Sequence, residues 1–250
     1  MQTGLFIDSG SLEEIRKFHA LGVLRGVTTN PTILVKDGVT GGWVGVERHL
    51  REIAHTVDPL PVSVEVTSGE PDEMLDQARE LASWAKNMNV KIPVHGPEGG
   101  TEYLRLVHQL EGFYNVRVNV TAMMSAQQCL LAAMAGATYV SIFGGRVNNM
   151  GYDSRLEIRR LRGLLDAFGS PAKIIVGSTR EVLNIIEWFE AGADIVTAVP
   201  KLIEEMLVHP YSKETVRMFL QDGQRLRAVV APPPARAAGP KASARVVPGD

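Results

Sequence analysis

A single lysine stands in the apolar run "NVKIPV" (89–94). Lysine is rarely buried unless something pairs with it or uses it, so Lys91 is the first residue whose chemistry needs explaining. In an extended strand Val90 and Ile92 share one face, while Asn89, Lys91 and Pro93 share the other. Other short apolar runs also carry polar residues towards their C-terminal ends: Asp8 in "GLFID", Asn30 in "GVTTN", Glu65 in "VSVEV", Asn119 and Thr121 in "VRVNVT", Ser141 in "YVSIF" and Ser178 in "KIIVGS". Two arginines follow Gly-containing turns, Arg146 after "FGG" and Arg180 after "GST". Guanidinium groups at such places suit phosphate, which they bind in a bidentate manner. For the lysine two roles are open. It forms a structural ion pair with Glu65 or Asp8, or it gives up its proton and acts as an amine nucleophile able to form a Schiff base. Desolvation favours the second role and nearby carboxylates favour the first, so residue types alone leave both open. A lone Asp or Asn at a strand end usually caps the next helix. The weight lies in the recurrence of polar residues on seven strands.

Such residues converge only if the strands are brought to one mouth. Eight strand-like runs occur, at 4–8, 26–30, 62–66, 89–94, 116–121, 139–143, 173–178 and 194–200. Each is followed by a segment with helical spacing, such as Leu12, Ile15 and Phe18, or Val182, Ile185, Ile186 and Phe189. Ser11 with Glu14 and Ser125 with Gln128 are capping-box patterns, and Gly136 and Gly192 stand where left-handed C-caps are expected. Eight βα units in a chain of 250 residues predict an α/β fold, a (β/α)8 TIM barrel, whose active site lies at the C-terminal ends of its strands. A doubly wound sheet would bring a glycine-rich turn after its first strand, and "DSGSLEE" has none. Beyond the eighth unit, "HPYSKETVRMFLQDGQRLR" predicts an extra helix with Val216, Phe219 and Leu220 on one face. We therefore expect a barrel domain over 1–227 that includes this helix, and a Pro/Ala-rich tail, 228–250, without order of its own.

The totals exclude several classes. Net charge is −2, so no basic field would attract a nucleic-acid backbone. Cys129 is the only cysteine and reads as a small core residue. His19, His49, His55, His108 and His209 have no ligand spacing among them, so no metal site is expected, and His95, just past the Lys91 strand, could line the chamber mouth but reads better as a solvated loop residue. The stretch from Val118 to Gly145 has no charged residue. Its Asn, Thr, Ser and Gln content nevertheless makes it strand, helix, strand within the protein rather than a membrane span. "MQTGLFIDSG" lacks the features of a signal peptide, which makes a cytoplasmic location the expectation. Trp43, Trp84 and Trp188 fall in helical segments and should pack.

The motifs "FIDSGSLEEI", "GVTTNPTIL", "VSVEV", "NVKIPV", "NVTAMMSAQQCLLAAMAGATYVSIFGGRV" and "HPYSKETVRMFL" resemble the small transaldolase family, which includes fructose-6-phosphate aldolase. The resemblance runs from about residue 3 to about 227. It implies a class I aldolase barrel with Lys91 as the Schiff-base lysine, attacking the ketone of a ketose phosphate. It also implies that Asp8 is the acid/base at the hydroxyl beside the breaking carbon–carbon bond, and that Glu65 with Thr121 holds the water of imine formation and hydrolysis. Asn30, Asn119 and Ser141 would bind the dihydroxyacetone hydroxyls, and Arg146, Arg180 and Ser178 the phosphate. No metal or organic cofactor is implied, because the imine is the electron sink. The partners implied are sugar phosphates and further copies of the chain, in pentamers or decamers.

Within the family, the free aldolase resembles a site with glutamine on strand three and tyrosine near the end of strand six. Glu65 and Phe143 are the transaldolase choices, so transfer of a dihydroxyacetone unit is expected, as in the pentose phosphate pathway. The chain departs from the family pattern at Ile142, at "VNNMGYD" after Arg146, and at Met123 and Met124. These departures sit at the acceptor end and motivate the hypothesis of a transaldolase specialised for an unusual sugar phosphate. The alternatives are free aldol cleavage on the same site and a sugar-phosphate-binding barrel without chemistry.

Overall fold

A computed structural model describes residues 4–230. Its strands are β1 (Gly4–Asp8), β2 (Gly26–Thr28), β3 (Val62–Glu65), β4 (Met88–Pro93), β5 (Val118–Met123), β6 (Tyr139–Ile142), β7 (Lys173–Val176) and β8 (Ile195–Ala198). Each coincides with one of the eight apolar runs. Every neighbouring pair is parallel and in chain order, and β8 pairs with β1, so the sheet closes into a barrel. Closure leaves no sheet edge with unpaired backbone groups.

The connecting helices are α1 (Leu12–Ala20), α2 (Pro31–Lys36), α3 (Gly42–Val57), α4 (Pro71–Ser83), α5 (Glu102–Gly112), α6 (Ala126–Met134), α7 (Gly144–Asn149), α8 (Ser154–Ala167), α9 (Val182–Glu190) and α10 (Pro200–Leu207). This is a (β/α)8 barrel, with the uncharged stretch at 118–145 folded as β5, α6 and β6. The expected caps form. Ser11 Oγ accepts from the Glu14 N–H and Ser125 Oγ from the Gln128 N–H, while Gly136 and Gly192 take positive φ after α6 and α9. On α9, Ile185 and Trp188 are buried, Val182 and Phe189 pack against the core, and Ile186 is exposed. The Trp188 indole donates to Ser154 Oγ at 2.8 Å.

Alternation along the strands separates two apolar layers. Ile7, Val27, Val64, Val90, Ile92, Val120 and Val140 belong to the main core shared with helix residues such as Ile15, Ile53, Leu106 and Ile185. Phe6, Tyr139, Ile175 and Ile195, in the opposite phase, form a separate small cluster. That second set fills the barrel interior, and Ile175 also lines the cavity described below, so the cluster is its floor. Cys129 is buried, and burial pushes its thiol far up. Trp43 and Trp84 pack with ring centroids 5.3 Å apart. Glu111, at the end of α5, accepts from the N–H groups of Val118 and Thr138, both at 2.7 Å, and so ties the start of β5 to the approach to β6.

The barrel unit runs through Leu207, and helix α11 (Pro210–Val230) belongs to a second unit beginning at Val208. The boundary expected after residue 227 thus falls inside α11, and the tail from 231 onward lies outside the described residues. Among the described residues, no helix is long and apolar enough to cross a membrane.

Candidate active site

Lys91 stands near the end of β4, in register with Glu65 on β3 and Asn119 on β5. Its side chain is 7% exposed, and its Nζ lies 2.8 Å from Glu65 Oε2. The same nitrogen donates to the Thr29 carbonyl oxygen at 2.9 Å. The lysine head therefore sits between a carboxylate and a backbone acceptor, each from a different strand end. A buried cation with two such partners can persist.

Asp8 ends β1 in register with Thr28. The Thr28 hydroxyl donates to Asp8 Oδ1 at 2.7 Å, and Thr28 and Thr197 hydroxyls lie 2.5 Å apart. Since Thr28 has one hydroxyl hydrogen and gives it to Asp8, Thr197 must be the donor to Thr28. Desolvation holds the Asp8 carboxyl above its ordinary range. The Lys91 charge and the Thr28 hydroxyl oppose that rise, and the charges of Glu65 and Asp37 add to it.

A second polar network crosses the floor. Ser141 Oγ donates to Asn119 Oδ1 at 2.6 Å, and Asn119 Nδ2 donates to Ser63 Oγ at 3.1 Å. Asn30 has both roles open to such a residue. Its Oδ1 caps α2 by accepting from the Ile33 N–H at 2.9 Å, while the residue also lines the cavity. The Oγ atoms of Thr121 and Ser178 are buried without a hydrogen-bond partner among the described residues. Ser178 has φ 61°, and Ala122, next to Thr121 in the irregular end of β5, has φ 60°. Left-handed backbone at non-glycine residues is strained and clusters at functional sites.

The mouth beside α7 is built around a close backbone approach. A Cβ on Gly145 would lie 1.7 Å from the Ser178 carbonyl oxygen, so only glycine lets the start of α7 meet the turn after β7. This contact sets Arg146 beside Ser178 and Arg180. Both arginines are exposed and form no ion pair among the described residues. The Arg146 guanidinium lies 5.4 Å from the centroid of the Phe143 ring.

Asp8, Asn30, Lys91, Asn119, Thr121, Ser141, Phe143, Arg146, Ser178 and Arg180 all line one cavity of about 180 Å³, and Glu65 joins them through Lys91. Thr28 and Thr197 also line it and were not singled out from the sequence. Threonine is common in strands for its shape alone, and the usable signal was its phase opposite Asp8. His95 is exposed. A larger cavity, about 650 Å³, adjoins at Arg146 and is walled by Met124, Val147, Met150 and Tyr152. No cluster of three or more metal-ligating side chains occurs among the described residues.

A parallel (β/α)8 barrel with a buried, carboxylate-paired lysine at the C-terminal mouth, a desolvated aspartate and two exposed arginines has the groups of an imine-forming aldolase. The chain belongs to the transaldolase/fructose-6-phosphate aldolase family, whose model matches residues 5–231. It is 41% identical over 217 residues to "Probable transaldolase 1" of Listeria monocytogenes serotype 4b (strain F2365), covering 87% of this chain and 96% of that protein. It is 35% identical over 226 residues to a "Probable transaldolase" of Carboxydothermus hydrogenoformans, covering 89% and 99%. A solved thiamine phosphate pyrophosphorylase from Pyrococcus furiosus shares the fold alone, with TM-score 0.52, 14% identity, and coverage of 79% of this chain and 85% of that one.

Proposed function

We propose that this enzyme is a transaldolase that moves a dihydroxyacetone unit from a ketose phosphate to an aldose phosphate through a Schiff base on Lys91. The observation that carries the reading is the Lys91 amine, buried in the chamber with Glu65 at 2.8 Å and with Asp8 lining the same cavity. The amine adds to the C2 carbonyl of the donor, and loss of water leaves an iminium. Asp8 takes the proton of the C4 hydroxyl as the C3–C4 bond breaks, and the bonding electrons pass into the iminium to give an enamine. The aldose phosphate departs. The enamine carbon then attacks the aldehyde of the acceptor, and Asp8 returns its proton to the new hydroxyl. Glu65 and Thr121 hold the water that is released as the imine forms and consumed as it is hydrolysed. An aspartate kept above its ordinary range holds a proton more readily between the two halves of the reaction. Asn30, Asn119 and Ser141 orient the three-carbon unit, and Arg146, Arg180 and Ser178 receive phosphate.

The adjoining apolar-walled cavity supports an acceptor side adapted to a substrate other than the ordinary pentose-pathway sugars, which a comparison of acceptor kinetics tests. The same reading expects a homo-oligomeric ring in the cytoplasm, measured by light scattering and fractionation. The decisive experiment is borohydride reduction in the presence of fructose 6-phosphate, followed by mass spectrometry. A reduced three-carbon adduct on Lys91, together with loss of transfer in Lys91→Ala, is expected. No adduct, with transfer intact in Lys91→Ala, overturns the proposal.

A further inference from the structure

The turn that carries Asp8 is held from outside the chamber. After β1 the chain runs Ser9, Gly10, Ser11 and enters α1. Gly10 is buried, and side chains far along the sequence grip it on both sides. Its N–H donates to Asp37 Oδ2 at 2.8 Å, and its carbonyl oxygen meets His49 Nε2 at 2.6 Å. A carbonyl only accepts, so the imidazole must carry its hydrogen on Nε2. The fit around Gly10 is tight, since a Cβ there would lie 3.0 Å from Leu34 Cδ2 and 3.3 Å from Asp37 Oδ2.

The clamp also ties two parts of the site together. Asp37 is the C-cap of α2, and Asn30, which lines the chamber, is the N-cap of the same six-residue helix. One short helix thus places Asn30, its N-cap, at the chamber and, through its C-cap Asp37, holds the peptide two residues after Asp8.

We infer that Asp37 and His49 are positioning residues for Asp8, holding the β1–α1 turn so that the Asp8 carboxylate keeps its place opposite Lys91. This inference rests on the reading of Asp8 as the acid/base. The charged and titratable groups acting on Asp8 are Lys91 from β4, Glu65 from β3 and Asp37 from α2, with Thr28 supplying a hydroxyl. Asp37 is therefore coupled to Asp8 in a second way, because its negative charge makes Asp8 hold its proton more firmly.

The test uses the full-length enzyme and separates the two couplings. Asp37→Ala and His49→Ala remove one half of the clamp each. Misplacing a reacting group by about 1 Å costs on the order of a hundredfold, so a fall in kcat of roughly ten- to a hundredfold is expected. Donor KM should change little, and borohydride should still trap the adduct on Lys91, because imine formation precedes the step that needs Asp8. Asp37→Asn keeps an oxygen for the Gly10 N–H but removes the charge. Its kcat should stay close to that of the parent, while the acid limb of kcat/KM moves to lower pH, by less as salt is raised. His49→Gln, which can still donate, should recover most of the loss in His49→Ala. Asp8→Asn is the control. If it is inactive while both alanine variants turn over as the parent does, the clamp is refuted and the acid/base reading stands. If Asp8→Asn itself turns over normally, the acid/base reading is what fails, and the clamp falls with it. A kcat loss with an unmoved acid limb in Asp37→Asn, and no rescue by His49→Gln, also overturns the inference.

Discussion

Adding one methyl group at Gly145 should open the proposed phosphate side of the chamber. The Cβ of Gly145→Ala would stand 1.7 Å from the Ser178 carbonyl oxygen and 2.9 Å from its carbon, where contacts under 3.0 Å do not occur. Both partners are backbone, so no side chain can swing away. The start of α7 and the turn after β7 must part by at least 1.3 Å, the difference between 3.0 and 1.7 Å. Arg146 moves with the first and Ser178 and Arg180 with the second, so the gap opens between the groups proposed to bind phosphate. At on the order of a hundredfold per ångström of misplacement, kcat/KM for a phosphorylated acceptor should fall roughly a hundredfold. An acceptor without phosphate, such as glyceraldehyde, does not use that clamp and should lose far less. The ratio of the two in a coupled transfer assay is the readout. Overpacking of this kind costs about 1–3 kcal/mol. In a chain of this length each kcal/mol lowers Tm by roughly 2–4 °C, so the variant should remain folded and measurable. An unchanged ratio between the two acceptors would refute the placement of phosphate between Arg146 and Arg180.

Asp8→Asn should lose transfer by at least about a hundredfold, the lower end for removal of a general acid/base, yet melt at a higher temperature at pH 7. The folded Asp8 binds its proton more tightly than the unfolded one. Its stabilising contribution is thus full below the ordinary value of 3.8 and is lost as pH rises through the folded value. The gain in Tm should accordingly vanish at pH 3.5, and a gain independent of pH would contradict the desolvation of Asp8. Thr28→Val removes the hydroxyl that opposes the upward shift of Asp8, so the acid limb of kcat/KM should move to higher pH. No movement, or movement downward, would remove Thr28 from the acid/base unit. Glu111→Ala strips the acceptor from two backbone N–H groups at about 1–3 kcal/mol each, offset in part by relief of the desolvated carboxyl. A drop in Tm of several degrees with unchanged kinetics is expected in thermal melts, and an unaltered Tm would show that water replaces the staple.

The barrel was legible because its strands are short apolar runs whose polar residues gather at one end. Lys91, Glu65 and Asp8 stood out as charges inside such runs, and all three meet at the mouth. What the sequence hid was contact across register. Thr28 and Thr197 are separated by 169 positions, and their hydroxyls touch only because β1 lies between β2 and β8 in the closed sheet. The Thr29 acceptor of Lys91 is a backbone carbonyl, which no residue type announces. Helix α7 was concealed for a different reason. "GGRVNN" is rich in residues that disfavour helix, and the glycine pair is there for the close approach to Ser178. Asn30 was open to reading as a cap or as a site residue, and α2 uses its oxygen for the first while leaving its place in the chamber wall.

The seam between β1 and β8 has a consequence for how the protein is made. Asp8 emerges from the ribosome well before β8, yet the hydroxyl chain behind it ends on Thr197, near the end of that strand. Until β8 is synthesised, β1 and β7 each present a row of unpaired backbone groups, the kind of edge on which nascent chains associate wrongly. A product arrested before residue 195 therefore has Lys91, Glu65 and both arginines yet lacks the finished surroundings of its aspartate. Quality control of nascent or truncated chains can thus be read at one strand pairing, and a pair of fragments split within the α9–β8 connection should regain turnover only when that pairing is restored.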